Sequence, residues 1–143
     1  MPLNGYTSCC EERQAIIVSK DRGTKREHRA INAGKSRVSQ YKIDGDVVRD
    51  QTPRCDFLVM NDDKKNAYLI ELKGSDIEHA IEQLEATASR FKSELQDYKI
   101  KYRIVCSRAR TQALNSNTYK SFRRKYSSSD EFLCTEKQII ENI

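Results

Sequence analysis

Hydrophobic and polar positions change period along this chain, and the changes divide it into strands and helices. Arg37-Val38-Ser39-Gln40-Tyr41-Lys42-Ile43 alternates with period two, and Asp44-Gly45 before Asp46-Val47-Val48 is a turn signal, so a hairpin is expected there. Asp50-Gln51-Thr52-Pro53 interrupts the sheet, because proline has no ladder donor. Cys55-Asp56-Phe57-Leu58-Val59-Met60 then reads as a strand with an acid at its start. The polar turn Asn61-Asp62-Asp63-Lys64-Lys65-Asn66 leads into a second strand, Tyr68-Leu69-Ile70-Glu71-Leu72-Lys73, antiparallel to the first.

After Gly74 the period lengthens. Ile77, Ile81, Leu84, Ala88, Phe91 and Leu95 follow spacings of four and three, and Ser75 with Glu78 fits a capping box, so a helix is expected over 76–97. Its apolar stripe lies either on the sheet face opposite Glu71 and Lys73 or beside them. Tyr102-Arg103-Ile104-Val105-Cys106 is the next strand, and strand–helix–strand order implies a parallel crossover. A last helix is expected within 111–126. Phe132-Leu133-Cys134 and Ile139-Ile140 form an edge strand or a short terminal helix. At the other end, residues 1–14, with Pro2 and Gly5, read as a loosely held arm, and residues 14–18 as a short strand or the packed end of that arm. Thr24 followed by Glu27, with Gly34 as a stop, suggests a helix over 24–33.

These elements predict an α/β fold with a mixed sheet flanked by helices. At 143 residues the chain is expected to form a single domain, 1–143, with its core at about 24–106. A net charge of +5 and a pI near 9 make a polyanion a plausible partner. Between Lys99 and Ser129 there are nine cations and no acid, including Arg108, Arg110, Lys120, Arg123, Arg124 and Lys125. Lys20 to Arg37 carries a second basic cluster. An acid-free run of that length points to phosphate-backbone contacts more than to a solvated helix face. Five cysteines without Cys-x-x-Cys spacing indicate neither a zinc site nor a disulfide framework, and point to a reducing, cytoplasmic setting. No apolar run is long enough for a signal peptide or a membrane span, so no membrane partner is expected. His28 and His79 have no mutual spacing and read as core or surface residues.

The candidate chemistry lies in the two central strands. Glu71 and Lys73 share one strand face, and Asp56 begins the neighbouring strand, so the two carboxylates can converge. With the Leu72 carbonyl they offer the hard oxygens that Mg²⁺ or Mn²⁺ prefers. Lys73 is placed to orient or deprotonate a water, or to neutralise charge on a phosphorane. Read as structure alone, Glu-x-Lys is a salt bridge worth under about 1 kcal/mol. Gln83, on one flank of the helix stripe, is within reach of the site.

The stretch from Cys55-Asp56 to Glu71-Leu72-Lys73-Gly74 resembles the core of the PD-(D/E)xK nuclease superfamily, with its restriction-endonuclease-like fold. Motif and element order carry the resemblance over about 24–106; Cys55 stands in the place of the proline. It implies that Asp56 and Glu71 bind metal and that Lys73 assists the attacking water. It also implies that a glutamate on a preceding helix, here Glu27, completes the site; Asp44, on its turn, is the alternative. Gln83 is similar to a glutamine of the following helix in several branches, though Thr87 replaces the aromatic residue that one branch carries there. The expected function is therefore an Mg-dependent endonuclease acting on DNA, with a homodimer matching the two strands of a duplex. A non-catalytic nucleic-acid-binding or partner-recruiting module on the same fold is the alternative.

Overall fold

The computed structural model describes residues 3–73 and 75–143; Pro2 of the expected arm and Gly74 of the expected strand end lie outside the described residues. In chain order the elements are β1 (Ile16–Lys20), β2 (Glu27–Ile31), β3 (Val38–Lys42), β4 (Phe57–Asn61), β5 (Asn66–Lys73), α1 (Ile77–Arg90), β6 (Lys99–Cys106), α2 (Thr111–Leu114), α3 (Asn117–Lys125), β7 (Phe132–Glu136) and β8 (Gln138–Asn142). They form an α/β structure with two sheets, ordered β3-β4-β5-β6-β7 and β1-β2-β8. β3, β4 and β5 are antiparallel neighbours, and β6 joins β5 in parallel through α1, as the strand–helix–strand order predicts.

The five-stranded sheet is buried on both faces. One face packs Leu58, Met60, Leu69 and Ile104 against Ile77, Ile81 and Leu84 of α1. The other packs Phe57, Val59, Ile70 and Leu72 against Ile17, Ala30 and Ile139 of the smaller sheet. The α1 stripe thus lies on the Leu69 side, the side from which Glu71 also projects by strand alternation.

Several boundaries differ from expectation. The helix expected over 24–33 is β2: His28 and Ala30 point inward, while Glu27, Arg29 and Ile31 are half-buried on the other side. Glu27 pairs with Lys20 and Gln138, and ladder bonds on both sides override a weak helical pattern. α1 begins one residue late, because Asp76 accepts the His79 N–H at 3.1 Å where Ser75 was expected to cap. α1 ends at Arg90, although Phe91 and Leu95 stay in the core. Two helices fill 111–126, the second capped by Ser116. Asp44-Gly45 turns the chain, with Gly45 at φ 101°, but a single bridge from Asp44 to Val48 replaces the second hairpin strand. The arm is docked rather than loose. Leu3 is in the core, and bonds from Cys9 N–H to the Gln40 carbonyl and from Val38 N–H to the Glu12 carbonyl, each 2.7 Å, cover the edge of β3. The tail supplies two strands, β7 and β8.

Between the sheets lies a buried ion pair. Arg103 donates from Nε and Nη2 to the two oxygens of Glu141 at 2.7 and 3.0 Å, and His28 Nε2 is 2.7 Å from Glu141 Oε2. Burial opposes charge on Glu141, yet the bonds from His28 and Arg103 outweigh it and hold the carboxyl down to about 2. A depressed carboxyl stabilises fully above its unfolded value and loses that contribution as pH falls toward 2. Glu141→Ala is therefore expected to cost about 3–5 kcal/mol at neutral pH by stranding Arg103. Denaturant melts of parent and variant should converge as the pH is lowered; a gap of constant size would disprove the pairing.

Candidate active site

The acid pair forms where β5 passes the start of β4. The Asp56 N–H donates to the Ile70 carbonyl at 3.1 Å, and Asp56 Oδ2 accepts the Leu72 N–H at 2.8 Å. This clamps the carboxylate against the strand that carries Glu71. Glu71 is only 2% exposed, and its carboxyl is near enough to that of Asp56 for each to shift the other. Burial is the main reason Glu71 is pushed up to about 9; the Asp56 charge adds to it and Lys73 works against it. Burial also raises Asp56 to about 6, although the Leu72 N–H favours its charged form. At neutral pH Glu71 therefore keeps its proton while Asp56 has lost its own, so the pair carries one proton. Neighbouring Cys55 is fully buried with its thiol pushed up, by burial first and then by Glu71, so it stays protonated.

Of the other expected residues, Lys73 is half-buried and close enough for its charge to lower Glu71. A strand residue points its N–H and C=O to the same side, so the Leu72 carbonyl opens toward Asp56, as its N–H does. Gln83 does not reach the pair through a recorded bond. Its Nε2 donates to the Arg54 carbonyl at 3.1 Å, and its Oε1 is buried without a partner. Thr87 accepts the Cys55 N–H at 2.7 Å and donates to the Gln83 carbonyl. Gln83 and Thr87 therefore hold the segment that delivers Asp56.

Glu27 is not brought to the pair. It sits on β2, in the sheet on the far side from α1, with its carboxylate 3.4 Å from Arg29 Nη2. Asp44 is paired with Arg54, 2.9 Å away, yet its charge still contributes to raising Asp56. The acid that the reading of the chain missed is Asp21, in the loop after β1, whose charge raises both Asp56 and Glu71. It lies among Lys20, Arg22 and Lys25, with no periodic pattern to single it out.

The donor set fits a hard divalent cation. The two carboxyls carry one proton, held on Glu71, that a cation can displace, and Glu71 Oε1 is buried without a donor. Among the described residues no three or more His, Cys, Asp or Glu gather in a metal-binding group, so further ligands would be the Leu72 carbonyl, water and substrate oxygens. A cavity of about 530 Å³ lies elsewhere, between the arm and β3, lined by Tyr6, Arg37, Tyr41 and Lys65. It contains neither member of the acid pair.

The basic run divides in two. Lys99 and Lys101 are bound to Asp130 at 3.2 and 2.7 Å, and Arg103 to Glu141, so two acids beyond the run offset two of these three charges. Arg123, expected at a nucleic-acid surface, donates to the Phe132 carbonyl at 2.8 Å and lies 4.3 Å from the Phe132 ring centre. Arg108, Arg110, Lys120, Arg124 and Lys125 are exposed. Arg110 shares a small pocket with Ser75 and Glu78, next to the end of β5. Replacing Arg124 and Lys125 with alanine is expected to weaken polyanion binding and its salt dependence without loss of stability. Arg123→Ala should instead lower the melting temperature; the reverse pattern would return Arg123 to the surface.

Fold and site together define an α/β protein with a buried acid pair and a lysine at the end of its central strands. No protein-family model, no curated protein and no solved structure matches the chain. Among the described residues, no helix is long and apolar enough to cross a membrane.

Proposed function

We propose that this chain is a metal-dependent nuclease of the PD-(D/E)xK kind with a restriction-endonuclease-like fold, an endonuclease hydrolysing phosphodiester bonds in DNA. The observation that carries the reading is the meeting of the Asp56 and Glu71 carboxyls on adjoining strands, with Lys73 beside them. The order β3, β4, β5, α1, β6 supports it, since it repeats the strand, acid strand, Glu-x-Lys strand, helix and strand of that superfamily's core. Among the described residues the helix that precedes the core in the superfamily has no counterpart; β1 and β2 occupy that part of the chain.

Asp56, Glu71 and the Leu72 carbonyl would hold Mg²⁺ or Mn²⁺, which when bound supplies charge neutralisation at the phosphate and acidifies a water. Lys73 orients the attacking water or takes its proton. Gln83 and Thr87 keep the chain before Asp56 in register. We also propose a cytoplasmic setting and a homodimer, in which two sites face the two strands of a duplex. Light scattering that gives a monomer mass at every concentration, with and without DNA, would remove the dimer alone.

The test of the activity is incubation with linear, circular and branched DNA and with RNA, in Mg²⁺, in Mn²⁺ and in chelator. Cleavage of circular DNA that stops in chelator is expected. Binding without cleavage in either metal would make the protein a recruiting module instead.

A further inference from the structure

Two basic loops distant in sequence meet beside the site. Arg26, in the loop between β1 and β2, donates from Nη1 to Ser107 Oγ at 2.6 Å, just after β6. Both sheets converge there: the Glu27 N–H donates to the Lys137 carbonyl, and the Lys137 N–H to the Cys106 carbonyl. The Ser107 N–H donates to the Lys73 carbonyl at 3.2 Å, so this corner touches the strand end that carries the proposed catalytic lysine.

The corner has hydrogen-bonding capacity with nothing to use it. Arg26 Nε and Thr24 Oγ1 are buried atoms without a partner, and Arg26 forms no recorded ion pair among the described residues. Buried polar atoms are as a rule satisfied, and an exception calls for an absent ligand, ion or water. Two neighbouring carboxylates are engaged elsewhere, Glu136 Oε2 by the Ala109 N–H at 2.9 Å and Glu27 by Arg29, while Asp21 of the same loop acts on the acid pair. What remains is a guanidinium with a free Nε–H and two hydroxyls, with exposed Arg22, Lys25 and Arg108 on the same loops. A planar guanidinium fork flanked by hydroxyls suits a tetrahedral oxyanion, whose oxygens accept several charge-assisted bonds at once.

We infer that Thr24, Arg26 and Ser107 form a phosphate subsite, which takes the substrate phosphate next to the one cleaved at Asp56 and Glu71. Its place beside the scissile phosphate rests on the nuclease reading; the binding of phosphate does not.

The test uses the full chain and a labelled duplex oligonucleotide, followed by anisotropy in chelator. Arg26→Gln is expected to bind roughly 10- to 100-fold more weakly, as for loss of a hydrogen bond to a charged group, with the salt slope reduced by about one. Thr24→Val, which leaves the Arg26–Ser107 bond intact, should weaken binding in the same direction, and it replaces the arginine variant if that one fails to fold. In Mg²⁺, a single neutral methylphosphonate should suppress cleavage at the adjoining bond in the parent and not in Arg26→Gln. Duplexes ending in 5′-phosphate or 5′-hydroxyl separate the sources: a preference for the former assigns the subsite to strand ends, and equal binding to internal phosphates. Parent-like affinity and salt slope in both variants would overturn the subsite while leaving the nuclease reading intact. Weakened binding in a protein that cleaves nothing would keep the subsite and remove the nuclease. No binding of any duplex would overturn both.

Discussion

Glu71→Gln is expected to abolish cleavage and, in chelator, to make the protein more stable than the parent at alkaline pH. The first effect follows from removing a buried anionic ligand with almost no change of volume. The second follows from the acid pair. Glu71 titrates near 9 in the folded protein against an ordinary 4.5, raised chiefly by burial and then by Asp56, so the folded state holds its proton more tightly than the unfolded chain. That contribution is complete below the ordinary value and is lost as pH rises toward 9. Glutamine stays neutral throughout and can still donate to Asp56. The parent's melting temperature should therefore fall between neutral and alkaline pH while the variant's stays level, the gap reaching at least the few degrees that about 1 kcal/mol gives a domain of this size. Parallel pH profiles would mean that the fold does not hold Glu71 protonated.

Lys73→Ala separates binding from chemistry. The lysine supplies no ligand, and its charge opposes that of a cation, so metal binding should persist or tighten slightly. Turnover should fall by roughly the 10²–10⁴-fold associated with a lost acid–base group. Single-turnover cleavage at saturating Mg²⁺ reads the chemical step directly. A variant that cleaves at the parent's rate would reduce Lys73 to a counter-ion of Glu71.

Strands β3 to β6 were legible because each carries an alternating or nearly continuous apolar run, and because α1 carries an uninterrupted stripe from Ile77 to Leu84, whereas β7, with only Phe132 buried, fits either a strand or a helix. Asp56, Glu71 and Lys73 were legible for a related reason: charges inside buried strands stand out against their neighbours. Of the smaller sheet only β1 was legible, as a short strand at 14–18 that the structure places at Ile16–Lys20. In β2 only His28 and Ala30 mark the inner face, and neither is strongly apolar, so a chance Thr24–Glu27 spacing read as a helix cap. Asp21, Thr24 and Arg26 lie in a loop whose residues carry no period at all. Their position depends on the parallel pairing of β2 with β8, a contact across more than a hundred residues. Arg123 looked like one more cation in a basic run because the partner that absorbs it, the ring and carbonyl of Phe132, lies on the next strand.

The central claim is that Asp56 and Glu71 form one cation site. Calorimetric titration of Mn²⁺ into the parent, Asp56→Asn and Glu71→Gln tests it most directly. The account predicts one site per chain in the parent, binding that tightens and releases protons as the pH rises through the range of the pair, and loss of that binding in both variants. Parent-like Mn²⁺ binding in either variant would contradict it and leave the acid pair a structural feature of the sheet.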